Sequence, residues 1–129
     1  EERTGIVKKI ALVEDNPDNR LLVQAILEEE YEIEEYETGI EGLEGMAQER
    51  PDLVLLDISL PEMDGTEVLA KMRDDEDLRG VPVIALTAHA MAGDREKFLG
   101  MGFDGYITKP IVDDAVLMET IERLLSAKE

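Results

Sequence analysis

Short apolar runs alternate along this chain with longer segments in which apolar residues recur every three or four positions. Three of the runs, at 10–13, 53–56 and 83–86, consist entirely of Val, Ile, Leu and Ala. Such runs are typical of strands that are buried on both faces, and the segments between them are typical of amphipathic helices. Consecutive parallel strands need a helical crossover between them. The pattern therefore predicts an α/β domain.

Two further segments complete a predicted sheet of five strands. Residues 31–37 alternate Tyr, Ile and several Glu, a composition too polar for a strand buried on both faces and better suited to a sheet edge. Residues 106–108 form a short last strand, and 53–56, the most apolar run, forms the central one. We therefore expect a doubly wound, flavodoxin-like parallel sheet in the order 2-1-3-4-5, with five helices on its two faces.

Capping residues and apolar spacing predict where the helices lie. The capping signals are Asn16-Pro17 before the first helix, Asp64 with Glu67 at the start of the third, and Gly100 and Gly102 after the fourth, at 92–99. The residues expected to face the core are Leu21, Leu22, Ala25 and Ile26 in the first helix, Ile40, Leu43, Met46 and Ala47 in the second, Val68, Leu69 and Met72 in the third, and Val116, Ile121, Leu124 and Leu125 in the last, at 112–125.

The composition favours one soluble domain and excludes several functions. The 129 residues, of which 43% are hydrophobic, suffice for a single core, and we expect one domain over 1–129 with its core at about 8–125. Lys and Arg number 13 against 32 Asp and Glu, and the net charge of −19 disfavours nucleic acid and anionic membranes as partners. The sequence has no cysteine, and no apolar stretch approaches the roughly 18 residues of a membrane span. These features fit a cytoplasmic location.

Polar residues come directly after four of the predicted strands. They are Glu14 and Asp15 after the first, Asp57 after the third, Thr87 after the fourth and Lys109 after the fifth. Strands 1 and 3 are neighbours in the expected order, so three carboxylates meet at one rim, where they repel one another unless a cation is present. Mg²⁺ fits best, because it takes a few carboxylates and leaves places for water and phosphate oxygens. Thr87 and Lys109 add anion-binding groups beside this cation site.

Together these residue types predict a phosphoryl-transfer site. A metal and an ammonium group neutralise phosphoryl oxygens, and a carboxylate can act as the nucleophile that becomes an acyl phosphate. Asp57 suits that role because it ends the central strand, whereas Glu14 and Asp15 are placed to hold the metal. Taken singly, the acidic pair and Thr87 also fit helix caps, and Lys109 fits a surface charge. Because these residues occur together at the ends of four predicted strands, a phosphoryl-transfer site is favoured over these separate roles.

Four segments resemble, in order and spacing, the motifs of the receiver domains of two-component response regulators. Residues 13–16 resemble the acidic pair of that family, 55–65 its phosphoacceptor strand and loop, 85–88 its switch strand and 106–110 its Lys-Pro motif. The resemblance covers nearly the whole chain. It implies a single receiver domain that is similar to the chemotaxis regulators.

The resemblance implies a role for each residue of the site. Asp57 would accept a phosphoryl group from a phosphohistidine on a sensor histidine kinase or a histidine phosphotransfer protein. Mg²⁺ would be held by Glu14 or Asp15, by Asp57 and by the backbone carbonyl of Ser59. Glu14 stands where many members have Asp, which leaves open whether it binds the metal directly or through water. The residues that would bind the phosphoryl group are Lys109, Thr87, Ala88 and Ser59.

The resemblance also implies a two-state switch. Thr87 would draw in its loop and Tyr106 would turn inward, which remodels the face made by the fourth helix, the fifth strand and the fifth helix for a downstream protein. The bond between Lys109 and Pro110 would be cis. The domain would be a monomer, with phosphorylation-dependent dimerisation through the same face. It would catalyse only its own phosphorylation and slow dephosphorylation, and so would not be an enzyme.

Alternatives remain for one residue and for the function. His89 is either a solvated loop residue or, with Ser59, a group that sets the hydrolysis rate of the acyl phosphate by orienting or blocking water. Residues 62–66 resemble the D-x-D-G-T motif of haloacid-dehalogenase-type phosphatases, although Glu62 stands at the nucleophile position. A flavodoxin-like FMN carrier shares the fold, although acidic strand ends would repel the FMN phosphate. Residues 100–105 match G-x-G-x-x-G, but a helix precedes them and a strand follows, the reverse of a dinucleotide site.

Overall fold

Five strands and five helices alternate in the part of the chain that the structure, a computed structural model, describes: residues 7–88, 91–111 and 113–127. The elements are β1 (Lys9–Val13), α1 (Pro17–Leu27), β2 (Glu32–Tyr36), α2 (Gly39–Gln48), β3 (Leu53–Asp57), α3 (Gly65–Asp74), β4 (Val83–Thr87), α4 (Asp94–Met101), β5 (Gly105–Thr108) and α5 (Asp114–Ala127). Among these residues no helix is long and apolar enough to cross a membrane.

The strands form one parallel sheet in the order β2-β1-β3-β4-β5. Every residue of β3 and β4 is buried, whereas β2, with the sequence EIEEY, lies at an edge and is partly exposed. The order, the parallel pairing, the central position of β3 and the edge position of β2 confirm the predicted fold. Parallel pairing also brings the carboxyl ends of β1, β3, β4 and β5 to one rim of the sheet.

Alternate residues of the central strands supply two hydrophobic layers. Leu12 of β1 and Leu55 of β3 point to the layer that is completed by α1 and α5. Val13 and Leu56 point to the opposite layer, which is completed by α2, α3 and α4. The helices therefore cover both faces of the sheet, as a doubly wound fold requires.

The buried face of α1 differs from the predicted one. Val23 and Leu27 are buried, whereas Leu21 is 69% exposed and Leu22 37% exposed. Of the predicted set only Ile26 packs against the core, and Ala25 is exposed. Since successive helical residues are rotated by roughly 100°, Leu21 and Ala25, each two positions from Val23, lie nearly opposite the face that meets the sheet.

The buried face of α2 also differs, because this helix packs through glycines. Gly42 is buried, and a Cβ added there would lie 2.9 Å from a methyl carbon of Val13. Met46 is buried and Leu43 packs against the core, as predicted. Ile40 is 44% exposed and Ala47 is exposed, because the close approach at the glycines turns them away from the sheet.

The other three helices follow the prediction with local differences. In α3 the predicted capping box is present, and its three expected core residues are buried. Helix α4 was predicted at 92–99 but runs from Asp94 to Met101, so Gly100 lies inside it; Gly102 caps its end with a φ of 117°, which suits glycine. In α5 the buried residues are Leu117, Ile121 and Leu125, with Leu124 partly buried, whereas Val116 is 47% exposed. The predicted start of α5, Val112, lies outside the described residues.

Candidate functional site

The ends of β1 and β3 bring three carboxylates together. Val13 and Leu56 are direct neighbours across the two strands, so Glu14 and Asp57 come next to each other at the rim. One carboxylate oxygen from each of Glu14, Asp15 and Asp57 lies within 4.8 Å of those of the other two. Glu14 and Asp57 are 1% and 2% exposed, whereas Asp15 is exposed. The predicted convergence of the acidic residues is present in the structure.

Lys109 joins the two buried carboxylates. Its Nζ donates to Glu14 Oε1 at 3.0 Å and to Asp57 Oδ2 at 3.1 Å. Its backbone N–H donates to the carbonyl of Thr87 at 2.7 Å, which fixes the start of the loop after β5 beside the end of β4. The peptide bond from Lys109 to Pro110 is cis, as the resemblance implied.

The charges of this cluster shift the pKa of two of its groups. Burial raises the pKa of Glu14, and repulsion by Asp57 adds to this shift, while hydrogen bonds from Lys109 and Asn16 partly offset it. Burial alone would lower the pKa of Lys109, but the hydrogen bonds and charge attraction of Glu14 and Asp57 outweigh it and raise that pKa. One ammonium group among three carboxylates leaves an excess of negative charge that a divalent cation can neutralise.

The loop after β3 is held tightly against Asp57. The Ser59 N–H donates to Asp57 Oδ1 at 3.0 Å, and the Gly65 N–H donates to the carbonyl of Ile58 at 2.9 Å. A Cβ at position 65 would lie 2.4 Å from the carbonyl oxygen of Asp57, so only glycine allows α3 to begin this close to the strand end. The turn between them includes Glu62 with a φ of 67°.

An open cleft of about 380 Å³ lies above the cluster. Its lining residues are Glu14, Asp15, Asn16, Asn19, Asp57, Ser59, Ala88, Lys109 and Pro110. The cleft thus brings together carboxylates, one ammonium group and the loops after β3 and β4. Carboxylate oxygens are the ligands that Mg²⁺ takes in proteins, so the donor set fits this ion.

Thr87 and Tyr106 lie beside the cleft on the α4 side of the sheet. Thr87 is 5% exposed at the end of β4, and Tyr106 on β5 is the direct neighbour of Ala85, which points to the same face as Thr87. The ring of Tyr106 stacks on Phe98 of α4 at a centroid distance of 6.0 Å. Burial raises the pKa of the Tyr106 hydroxyl, and repulsion by Asp94 adds to the shift.

Tyr106 also lines a second cavity, of about 350 Å³, between α4, β5 and α5. The other residues around this cavity include Arg95 of α4, Ile111 in the loop after β5, and Val116 of α5. Tyr106 therefore contacts the face that the resemblance associates with partner binding, and this cavity adjoins the cleft over Asp57 at Pro110, which lines both. His89 lies outside the described residues.

Sequence reasoning missed one contact to the acidic pair. Arg20 of α1 folds back and its Nη1 donates to the backbone carbonyl of Glu14 at 2.8 Å. Asn19, which lines the cleft, was not singled out either. No spacing rule points from α1 to a carbonyl at the end of β1, although Arg20 is a basic residue close to the acidic pair in a strongly acidic chain.

The two motif-based enzyme interpretations do not match the geometry. Glu62 lies in an exposed turn rather than at the end of a strand, so it does not occupy the position of a phosphatase nucleophile. Gly100 lies within α4 and Gly105 begins β5, so the G-x-G-x-x-G segment runs from a helix into a strand.

Comparison with known proteins gives a consistent result. The family model described as the response regulator receiver domain matches residues 10–122. The polar-differentiation response regulator DivK of Brucella ovis is 44% identical over 107 residues, which cover 82% of this chain and 87% of DivK.

Two solved structures support the same assignment. The signal receiver domain of a histidine kinase from Syntrophus aciditrophicus is 38% identical, with a TM-score of 0.84 over 94% of this chain and 92% of that one. The receiver domain of a sensor histidine kinase from Pseudomonas aeruginosa PAO1, solved with a magnesium ion in its active-site cleft, is 36% identical, with a TM-score of 0.85 over 94% and 99%. This chain belongs to the receiver domains of two-component response regulators.

Proposed function

We propose that Asp57 is the phosphoacceptor of this receiver domain. The observation that carries the proposal is the Lys109 ammonium group, held 3.0 and 3.1 Å from the buried carboxylates of Glu14 and Asp57 at the base of an open cleft. Asp57 ends the central strand, and its Oδ1 is oriented by the Ser59 N–H. A carboxylate oriented in this way beside a cation suits an in-line attack on a phosphoryl group.

The transfer replaces one bond to phosphorus by another. A carboxylate oxygen of Asp57 attacks the phosphorus of a phosphohistidine, and the P–N bond breaks with its electron pair going to the imidazole, which takes up a proton from water. Lys109 is placed to neutralise the charge of the transferred group as it arrives. The product is an acyl phosphate on Asp57, whose terminal phosphoryl oxygens are available to the Lys109 ammonium group and to the loop at Thr87 and Ala88.

We propose that Asp57, the backbone carbonyl of Ser59 and the acidic pair Glu14 and Asp15 hold Mg²⁺, with Asp15 as the direct ligand of the pair. Glu14 and Asp57 each accept a hydrogen bond from Lys109 and one from a backbone N–H, so both share their oxygens with these donors. Asp15 is exposed and lines the cleft, so its carboxylate is open to a ligand. When bound, Mg²⁺ would neutralise negative charge on the carboxylates and on the entering phosphoryl group.

We propose that Thr87 and Tyr106 carry the change of state to the face between α4, β5 and α5. Thr87 and Tyr106 lie on the same face of neighbouring strands, and Tyr106 stacks on α4 through Phe98. A phosphoryl group that draws the Thr87 hydroxyl towards the cleft would leave room for the Tyr106 ring, and the cavity that Tyr106 lines would change shape. The downstream protein would bind at this cavity.

The partners and setting follow from this role. The phosphoryl donor is a sensor histidine kinase or a histidine phosphotransfer protein, and the domain acts as a signalling switch that turns over only its own phosphoryl group. We propose that it works in the cytoplasm as a monomer that can dimerise on phosphorylation, and that it binds neither nucleic acid nor membrane. The net charge of −19 supports the last two points.

Intact-mass measurement after incubation with a small acyl phosphate tests the proposal. Wild type is expected to gain one phosphoryl group that requires Mg²⁺ and is lost in mild base, whereas Asp57→Asn gains none. Asp74→Asn, which changes an exposed carboxylate at the end of α3, is the matched control and is expected to gain the same adduct as wild type. A base-labile adduct on Asp57→Asn, or the same adduct without Mg²⁺, would contradict the proposal.

A further inference from the structure

Arg20 links α1 to the ends of β1 and β2. Its side chain is 13% exposed and folds back over the rim of the sheet. Nη1 donates to the backbone carbonyl of Glu14 at 2.8 Å, and Nε lies 3.3 Å from Glu35 Oε1. Nη2 lies 3.5 Å from Glu37 Oε2. The planar guanidinium group therefore holds one carbonyl and two carboxylates at once.

The carbonyl that Arg20 binds belongs to the peptide group that joins Glu14 to Asp15. On the other side of Glu14, its N–H donates to the carbonyl of Tyr36 at 3.0 Å. Strand pairing thus fixes the peptide group that precedes Glu14, and Arg20 fixes the orientation of the peptide group that follows it. The plane of that second peptide group determines where the exposed Asp15 carboxylate points.

We propose that Arg20 is a positioning residue that orients the Glu14–Asp15 pair for Mg²⁺. The inference rests on the proposed function, because it assigns Arg20 a role through the acidic pair. Groups that orient metal ligands from outside the ligand set commonly contribute tenfold to a hundredfold to metal affinity. Glu35 of β2 and Glu37, which directly follows this strand, anchor the guanidinium group and so support the same role.

Charge and positioning by Arg20 act on Mg²⁺ in opposite directions. A positive charge near the cluster repels a divalent cation, so its removal alone would strengthen binding. Loss of the hydrogen bond to the Glu14 carbonyl would weaken binding. If a variant that lacks the guanidinium group binds Mg²⁺ less tightly, the loss of the charge cannot be the cause. The weaker binding then shows that Arg20 positions the acidic pair.

Arg73 provides a matched control at the opposite end of the sheet. Its guanidinium group also donates to backbone carbonyls, those of Val81 at 2.9 Å and Gly102 at 2.8 Å, and pairs with Asp104 at 3.0 Å. Arg73 lies at the end of α3, on the side where β4 begins, away from the cleft. Arg20→Met and Arg73→Met remove the same group, and both are expected to lower the melting temperature.

The experiment measures Mg²⁺ affinity by following backbone amide signals near the cleft in two-dimensional NMR titrations. Arg20→Met is expected to raise the Kd for Mg²⁺ about tenfold, while Arg73→Met leaves it within about twofold of wild type. Arg20→Lys retains the charge but has a single donor nitrogen in place of the planar guanidinium group, and its Kd is expected to fall between those of wild type and Arg20→Met. With a small acyl phosphate as donor, Arg20→Met should shift the Mg²⁺ dependence of the phosphorylation rate but leave the rate at saturating Mg²⁺ within about twofold of wild type.

The titrations are repeated at about 0.5 M KCl, where added salt weakens the repulsion between the Arg20 charge and Mg²⁺, so that this repulsion conceals less of a loss of positioning. The inference is overturned if Arg20→Met binds Mg²⁺ there as tightly as wild type, or if Arg73→Met weakens binding equally. Should Arg20→Met fail to fold, Arg20→Lys decides, and unchanged affinity in that variant overturns the inference. Wild type that binds no Mg²⁺ would refute the proposed function itself, which separates the two failures.

Discussion

Replacing Lys109 with Met is expected to destabilise the domain, and Mg²⁺ is expected to restore most of the loss. The Lys109 ammonium group lies 3.0 Å from Glu14 Oε1 and 3.1 Å from Asp57 Oδ2. Met retains the length and the apolar stem of the side chain but not the charge. Two carboxylates that are 1% and 2% exposed would then face each other without a cation.

The magnitude follows from burial. Removing one partner of a buried ion pair costs about 3–5 kcal/mol, because the remaining charge is left uncompensated. The lower end, about 3 kcal/mol, is appropriate here because the cleft that Glu14, Asp57 and Lys109 line is open to water. Mg²⁺ at a hundred times its Kd stabilises a folded protein by about 2.7 kcal/mol, which nearly offsets that loss. The stabilisation by Mg²⁺ should be larger in the variant, since the ammonium group no longer competes for the carboxylates.

Urea unfolding, monitored by circular dichroism in EDTA and in saturating Mg²⁺, measures both the loss of stability in Lys109→Met and the stabilisation by Mg²⁺. Lys9→Met is the control, because Lys9 pairs with Glu49, which is 59% exposed, at the opposite end of β1. Such an exposed pair contributes about 1 kcal/mol or less, with no dependence on Mg²⁺. The reasoning is refuted if Lys109→Met loses less than about 1 kcal/mol in EDTA. It is also refuted if Mg²⁺ stabilises wild type and Lys109→Met equally.

Two further predictions concern the loop between β3 and α3. Gly65→Ala places a Cβ 2.4 Å from the carbonyl oxygen of Asp57, so it should cost about 1–3 kcal/mol of unfolding free energy and slow phosphorylation by an acyl phosphate. Gly100→Ala is the control, because Gly100 lies in α4 and nothing is within 4 Å of the added Cβ; this change should stabilise the protein by about 0.5–1 kcal/mol. Equal effects of the two changes on the unfolding free energy would contradict the close contact at Gly65. The hydrogen bond from Thr66 lowers the pKa of Asp64. The ionised Asp64 side chain therefore stabilises the folded protein at any pH above the usual pKa of an Asp, and this stabilisation is lost as the pH falls through the lowered pKa. Asp64→Ala should therefore cost about 1 kcal/mol at neutral pH and progressively less in acid, as measured by urea unfolding across pH; a cost that does not change with pH would count against the charged cap.

The fold and the position of the cleft were predictable because they depend on strand order and strand ends. Apolar runs locate strands, and parallel strands all end at the same rim, so the residues after Val13, Leu56 and Thr108 were expected along that rim. The capping box of α3 was also predictable, because its two residues are close in sequence.

Helix faces and side-chain contacts across the rim were less predictable. Leu21 and Ile40 are apolar and fit a helical stripe, but the angle at which each helix crosses the sheet, set in α2 by close packing at Gly42, turns them outward. The hydrogen bond from Lys109 to Glu14 joins residues that are 95 positions apart, and the hydrogen bond from Arg20 depends on a side chain of α1 that folds back to the end of β1. Neither contact follows from periodicity.

The glutamates of β2 also affect how the domain behaves at high concentration. An open sheet edge is a template on which another chain can add a strand, and that is a route to aggregation. Three of the five residues of β2 are Glu, so a second copy of the strand laid against this edge would bring rows of like charge together. The polar character that identifies β2 as an edge strand therefore keeps neighbouring molecules from joining their sheets. Lowering the pH or adding salt would weaken this protection before it disturbs the buried core.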